Sequence, residues 1–146
     1  MQPYPHTYTA CASGESVGLV YVTATGVAAL DTASPPEFEG PGGVWSPETL
    51  LCASIADCFI LTFRAVSRAT RFQWVRIEAR VEGILDRVER TPQFIGYTTS
   101  AKLIIPAGAN KDKGRELLER AEQACLIANS LRGSRRLEAE VIAAES

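Results

Sequence analysis

Lysine and arginine are absent from residues 1–63 of this 146-residue chain, and all 15 basic residues lie from Arg64 onward. The same stretch carries six acids: Glu15, Asp31, Glu37, Glu39, Glu48 and Asp57. The two portions therefore have formal charges of -6 and +4, for a net charge of -2. With no block of like charge, a nucleic-acid footprint is excluded. Histidine is scarce too, at one residue, His6. No zinc spacing, glycine-rich phosphate loop or nucleophile elbow occurs, so zinc hydrolysis, nucleotide chemistry and serine hydrolysis have no anchor. No unbroken apolar run reaches the roughly 18 residues of a membrane span. Residues 1–30 lack the basic and apolar regions of a signal peptide. The expected setting is the cytoplasm, with no membrane partner.

What is present is ordinary globular composition, 46% hydrophobic and 22% charged, which does not suit a disordered chain. The length suggests one domain over residues 1–146. Residues 1–63 alone would make a poor core, so the two portions are expected to intertwine, within a subunit or between subunits. Four cysteines in such a chain argue against a disulfide scaffold. They are small buried hydrophobes or a reactive site.

Residues 6–13 and 17–25, rich in Val, Thr and Tyr, flank Ser13-Gly14-Glu15-Ser16 and predict a hairpin, with 27–32 as a third strand. Residues 34–45 are dense in proline and glycine and form a structured loop. Its Phe38 and Trp45 need somewhere to pack. Ser46-Pro47-Glu48 then opens a helix: a serine cap, a proline at the first position and an acid at the positive end of the dipole. The helix runs to about Thr70, with apolar residues on every side between Glu48 and Arg64. A helix apolar all round is buried all round, which calls for a second subunit.

In 74–82, Val75, Ile77, Ala79 and Val81 alternate with Arg76, Glu78, Arg80 and Glu82, the mark of a half-exposed strand. Residues 94–105 form its antiparallel partner across a loop at 86–92. A second helix spans 112 to about 129, with Leu117, Leu118, Ala121, Ala124, Cys125 and Ala128 on one stripe. Leu137, Ala139 and Val141 mark a last strand. The order β-β-β-α-β-β-α-β is an α+β fold.

Cys58 and Cys125 each sit in the apolar part of a helix. They are either buried hydrophobes or a pair that cycles between dithiol and disulfide. Cys52 lies about 120° around the helix from Cys58, and Cys11 is on the hairpin; both are expected to serve packing.

Three segments carry a resemblance: Ser46-Pro47-Glu48-Thr49-Leu50-Leu51, Ala56-Asp57-Cys58-Phe59, and Ala121-Glu122-Gln123-Ala124-Cys125-Leu126-Ile127-Ala128-Asn129-Ser130-Leu131. Together they make residues 6–142 similar to the OsmC/Ohr family, that of osmotically inducible protein C and the organic hydroperoxide resistance proteins. Cys125-Leu126 departs from the Cys-Pro frequent in that family. The resemblance implies an intertwined α+β homodimer with sites at the subunit interface. It also implies thiol peroxidase activity in oxidative-stress defence, acting on organic hydroperoxides without metal or flavin. Cys58 would be the attacking thiol, Cys125 the resolving one and Glu48 a third site residue, with recycling by a dithiol reductant such as a lipoyl group. Two other readings stay open: a dithiol protein with a different substrate, and a non-catalytic dimer that binds an apolar ligand.

Family peroxidases place an arginine, held by the glutamate matching Glu48, near the attacking thiol, and this chain has none before Arg64. Cys58 lies about three turns into its helix, beyond reach of the dipole's positive end. Glu48 stands about 15 Å away along the axis. Arg64, or Arg132, Arg135 and Arg136, are the remaining cations. The sequence therefore predicts a Cys58 that titrates as an unassisted thiol.

Overall fold

The computed structural model describes residues 1–146 as two compact units, Met1–Leu50 and Leu51–Ser146. The first holds three short antiparallel strands, β1 (Cys11–Ser13), β2 (Val20–Thr23) and β3 (Leu30–Thr32), in the order β1-β2-β3. They are shorter than the sequence predicts. The Thr32 hydroxyl donates to the Val20 carbonyl at 2.9 Å, and Thr32 bridges Trp45 in parallel. A sheet this small buries little. Phe38 and Trp45 stay about half exposed, at 51% and 46%, and Cys11 is exposed rather than packed.

Helix α1 (Pro47–Ala69) starts as its sequence dictates. The Thr49 N–H donates to Ser46 Oγ and the Ser46 N–H to Thr49 Oγ1, both at 3.1 Å, a reciprocal cap in which threonine replaces the usual acid or amide. Its buried residues are Ile55, Phe59, Phe63 and Ser67, one stripe at four-residue spacing. The expectation of burial all round thus fails within one chain, since Leu61 is 52% exposed. By length and composition alone α1 would suit a membrane span, a test that the core helix of a globular protein also passes.

The second unit is built on strands β4 (Arg76–Val88), β5 (Thr91–Ile105) and β6 (Ser134–Ala143) in the order β4-β5-β6, antiparallel then parallel. The expected loop at 86–92 is a two-residue turn, with Glu89 and Arg90 both at positive φ, the backbone that continues strand twist through a tight hairpin. Pro92 is tolerated because β6 pairs with β5 only from Gly96 onward, which leaves an edge there. The parallel pair is connected by helices α2 (Lys111–Ala124) and α3 (Leu126–Asn129). Asn110 caps α2 by accepting from the Lys113 N–H at 3.1 Å.

Phe59 and Phe63 form the main core with Leu103, Ile105, Leu117, Leu118 and Val141. Trp74 meets Phe63 edge to face at 5.4 Å and donates to Ser67 Oγ at 3.0 Å, so the one buried polar group of the stripe is satisfied.

Gly133, just before β6, has φ +109°, and a Cβ there would stand 2.9 Å from the Ile95 carbonyl oxygen. Gly133→Ala is expected to destabilise the protein by about 1–3 kcal/mol. The check is a lower urea midpoint at an unchanged slope.

Candidate functional site

Cys58 and Cys125 come together in a second apolar cluster of Ile55, Tyr97, Cys125 and Ala128, flanked by Leu51, Cys58, Val81 and Phe94. Cys125 is buried at 1% exposure and Cys58 is partly buried. The two thiols are hydrogen-bond neighbours. Cys125 Sγ also lies 3.9 Å from the Ile55 carbonyl oxygen. All four cysteines are free thiols.

The second helix does not run through to Asn129 as the sequence predicts. It breaks at Cys125, whose ψ of 106° is extended, and restarts as α3. Ala124 consequently leaves the apolar stripe and is exposed. The break turns the backbone N–H groups of Ile127 and Leu126 onto the Cys58 sulfur. Thr62, one turn after Cys58, donates its hydroxyl to the Cys58 carbonyl at 2.7 Å and lies 3.9 Å from Cys58 Sγ.

These groups give the thiols opposite characters. Burial pushes Cys58 up, but the Ile127 N–H, the Cys125 thiol, the Thr62 hydroxyl and the Leu126 N–H outweigh it. Its pKa lies below the ordinary cysteine value, because each donor favours the charged form. Burial raises Cys125, only partly opposed by the Ala128 N–H, and the neighbouring Cys58 sulfur raises it further. The expectation of an unassisted Cys58 is corrected: neutral donors, chiefly backbone amides, do what a cation was expected to do. Cys52 is separate. Burial raises it, against a hydrogen bond with the Gly83 backbone.

No arginine is among the groups acting on Cys58. Arg136 pairs with Glu138 at 3.3 Å on the surface. Arg135 is engaged more deeply. Its Nε meets Glu122 Oε1 at 2.7 Å and its Nη1 meets Asn129 Oδ1 at 2.6 Å, while Nη2 donates to the Glu122 carbonyl. In the Met1–Leu50 unit, Glu48 borders an apolar cleft of about 370 Å³ lined by Ala12, Val20, Val22, Pro35, Phe38 and Leu50 among others. One of its carboxylate oxygens, Oε1, is buried without a hydrogen-bond partner.

The sequence singles out Cys58 and Cys125 as candidates, and the structure brings both into one apolar cluster. It gives no sign of Leu126 and Ile127, because an amide carries no mark of residue type. Thr62 was legible as the i+4 neighbour of Cys58.

Residues 40–140 match the family model described as OsmC-like protein. An organic hydroperoxide resistance protein of Xanthomonas axonopodis pv. citri is 30% identical over 112 residues, covering 73% of this chain and 75% of that protein. Among solved structures, an organic hydroperoxide resistance protein OsmC from Legionella pneumophila is 28% identical with a TM-score of 0.75, over 96% of this chain and 99% of that one. An OsmC-like protein of unknown function from Vibrio cholerae has the same fold, with a TM-score of 0.82 at 15% identity over 92% and 99% of the two chains. The fold is that of an OsmC-type α+β protein. This chain belongs to the OsmC/Ohr family.

The lowered pKa of Cys58 sets an expected order of thiol reactivity. In peptide-mapped iodoacetamide alkylation, the midpoint of Cys58 should fall below the ordinary pH of about 8.5, and that of Cys52 above it. Thr62→Val should move the Cys58 midpoint upward, since it removes a hydroxyl that lies 3.9 Å from Cys58 Sγ and lowers its pKa. A wild-type Cys58 that still gains rate through pH 9 would contradict this assignment.

Proposed function

We propose that the protein reduces organic hydroperoxides with Cys58 as the attacking thiol and Cys125 as the resolving thiol. The observation that carries this reading is the contact between two free thiols of opposite character. Cys58 is pulled toward thiolate and Cys125 is held as thiol. A thiolate is the nucleophile, whereas the second thiol must stay protonated until the first has been oxidised.

The Cys58 thiolate attacks the distal peroxide oxygen, forming an S–O bond as the O–O bond breaks. The alkoxide leaves and takes a proton from water, and Cys58, now bonded to the distal hydroxyl, becomes a sulfenic acid. Cys125 sulfur then attacks Cys58 sulfur, an S–S bond forms and water departs. An external dithiol, of which a lipoyl group is one, returns two electrons and two protons through thiol–disulfide exchange. A reducing cytoplasm would supply this step. Apolar side chains around the pair favour hydroperoxides with a carbon body, whose burial is favourable. Glu48 enters the proposal on the family resemblance, as an acid that receives a positively charged or hydrogen-bonding group.

The functional unit we propose is a homodimer of one OsmC-like domain per chain. Its support is the apolar surface left open on a single chain: Leu61 on α1, Ile84, Leu85 and Val88 on β4, and Leu126 on α3. Isolated exposed apolar residues are unremarkable, and these are the ones we place at the proposed interface.

Mixing reduced protein with cumene hydroperoxide should consume two thiols per chain, with peptide mapping showing one Cys58–Cys125 disulfide. Hydrogen peroxide should react more slowly. Cys58→Ser should abolish the reaction, and Cys125→Ser should stop it at a sulfenic acid that dimedone traps. A bridge through Cys52 or Cys11 would overturn the assignment. Light scattering at micromolar concentration should give twice the chain mass, and a monomer would remove the interface from the proposal.

A further inference from the structure

We infer that Arg135 is a positioning residue for the thiol pair, one that holds the backbone break at Cys125 in place beside Cys58 without touching either sulfur. The inference rests on the reading of Cys58 as the reactive thiol. Arg135 stands at the start of β6 and places its guanidinium on three acceptors that bracket the break. On the α2 side these are the Glu122 carboxylate and the Glu122 carbonyl, and on the α3 side the Asn129 side-chain oxygen. The Glu122 carbonyl also accepts the Cys125 N–H at 3.4 Å, and the Asn129 N–H donates to the Cys125 carbonyl at 2.9 Å. Asn129 Nδ2 donates back to the Gln123 carbonyl at 3.0 Å. Each residue that Arg135 grips is thus itself bonded to the backbone at or beside Cys125.

Partial burial strengthens the grip. The Arg135 and Glu122 side chains are only 25% and 20% exposed, whereas those of the Arg76–Glu78 pair are 68% and 59% exposed. A planar guanidinium can serve several fixed acceptors at once, which an ammonium cannot do in the same geometry. The three bonds fix α2, α3 and the β6 entrance relative to one another. The Leu126 and Ile127 N–H groups on Cys58 exist only while that arrangement holds. Three-residue flexibility at the break would let both amides turn to water, and the donors that lower Cys58 would be lost.

A direct field effect makes the opposite prediction for one variant, so the two are separable. If charge acted through space, removing the Glu122 anion would favour a negative sulfur and lower the Cys58 pKa. If Glu122 and Arg135 act as a clamp, removing either raises it. The experiment measures the pH midpoint of Cys58 alkylation, peptide-mapped, in the full-length wild type, Arg135→Ala, Arg135→Lys and Glu122→Ala, with circular dichroism on each. We expect Arg135→Ala and Glu122→Ala both to move the midpoint up by about half a pH unit or more, with about three-fold less thiolate at neutral pH. Arg135→Lys should recover only part of that shift. A folded Arg135→Ala with an unchanged midpoint overturns the inference, and so does a Glu122→Ala midpoint that falls. If Arg135→Ala does not fold, the direction of the Glu122→Ala shift alone decides. A wild-type midpoint at the ordinary thiol value instead refutes the reading of Cys58 as an activated thiol, a failure visible before any variant is compared.

Discussion

Strands β5 and β6 run parallel, and that pairing organises everything around the thiols. Parallel neighbours cannot be joined by a tight turn, so the chain must leave the sheet, cross it and return. Helix α2 makes the crossing and buries Leu117, Leu118 and Ala121 as it does so. It must also deliver the chain to the start of β6 opposite Gly96, and a helix continued to Asn129 is not what the structure adopts. The extended residue between α2 and α3 is Cys125. A requirement of sheet topology therefore puts the deepest thiol at a backbone break, where amides freed from the helical ladder find a sulfur instead of a carbonyl.

Helix α1 answers from the other side of the cluster. Its buried residues recur every four positions, and a strict four-residue period drifts slowly around an ideal helix of 3.6 residues per turn. Ile55, Phe59 and Phe63 consequently form a narrow buried seam, with Leu51, Ile60 and Val66 only partly covered beside it and Leu61 exposed. Cys58 is on the flank of that seam, neither fully buried nor fully exposed. This position reconciles two demands on the attacking role we propose for Cys58. A completely buried sulfur would be driven to the neutral form by desolvation, and a completely exposed one would lose its neighbours to water.

The legible part of the fold was the part written in side-chain periodicity. Alternation in β4, the stripe on α2 and the Ser46-Pro47-Glu48 start of α1 each came from residue types whose physical preferences are strong. Lengths were less legible. The β4–β5 hairpin closes with Glu89-Arg90 at positive φ, a pair with none of the glycine or asparagine that announces such a turn. The first three strands shrank because alternation of Val, Thr and Tyr shows what can pair, not how far pairing extends. The break at Cys125 left no mark either: Ala-Cys-Leu-Ile-Ala holds neither proline nor glycine, and tertiary packing overrides its local helical preference. Cys58 and Cys125 stood out as candidates by residue type, whereas the amides that act on Cys58 belong to positions chosen by topology.

The site's asymmetry follows from the same geometry. Two thiols in contact compete for one negative charge, and whichever receives more donors becomes the anion. Cys58 receives two backbone amides, a hydroxyl and the neighbouring S–H. Cys125 lies deeper, is more strongly desolvated, and faces the sulfur that carries the charge. Ionising Cys58 makes ionising Cys125 harder, so the pair carries one thiolate rather than two. That order suits a two-step reaction. In the reaction we propose, oxidation neutralises Cys58, the charge that had suppressed Cys125 is gone, and the second thiol is released to ionise beside the sulfur it would attack. In that proposed reaction, a contact that restrains Cys125 before the first step favours it afterwards.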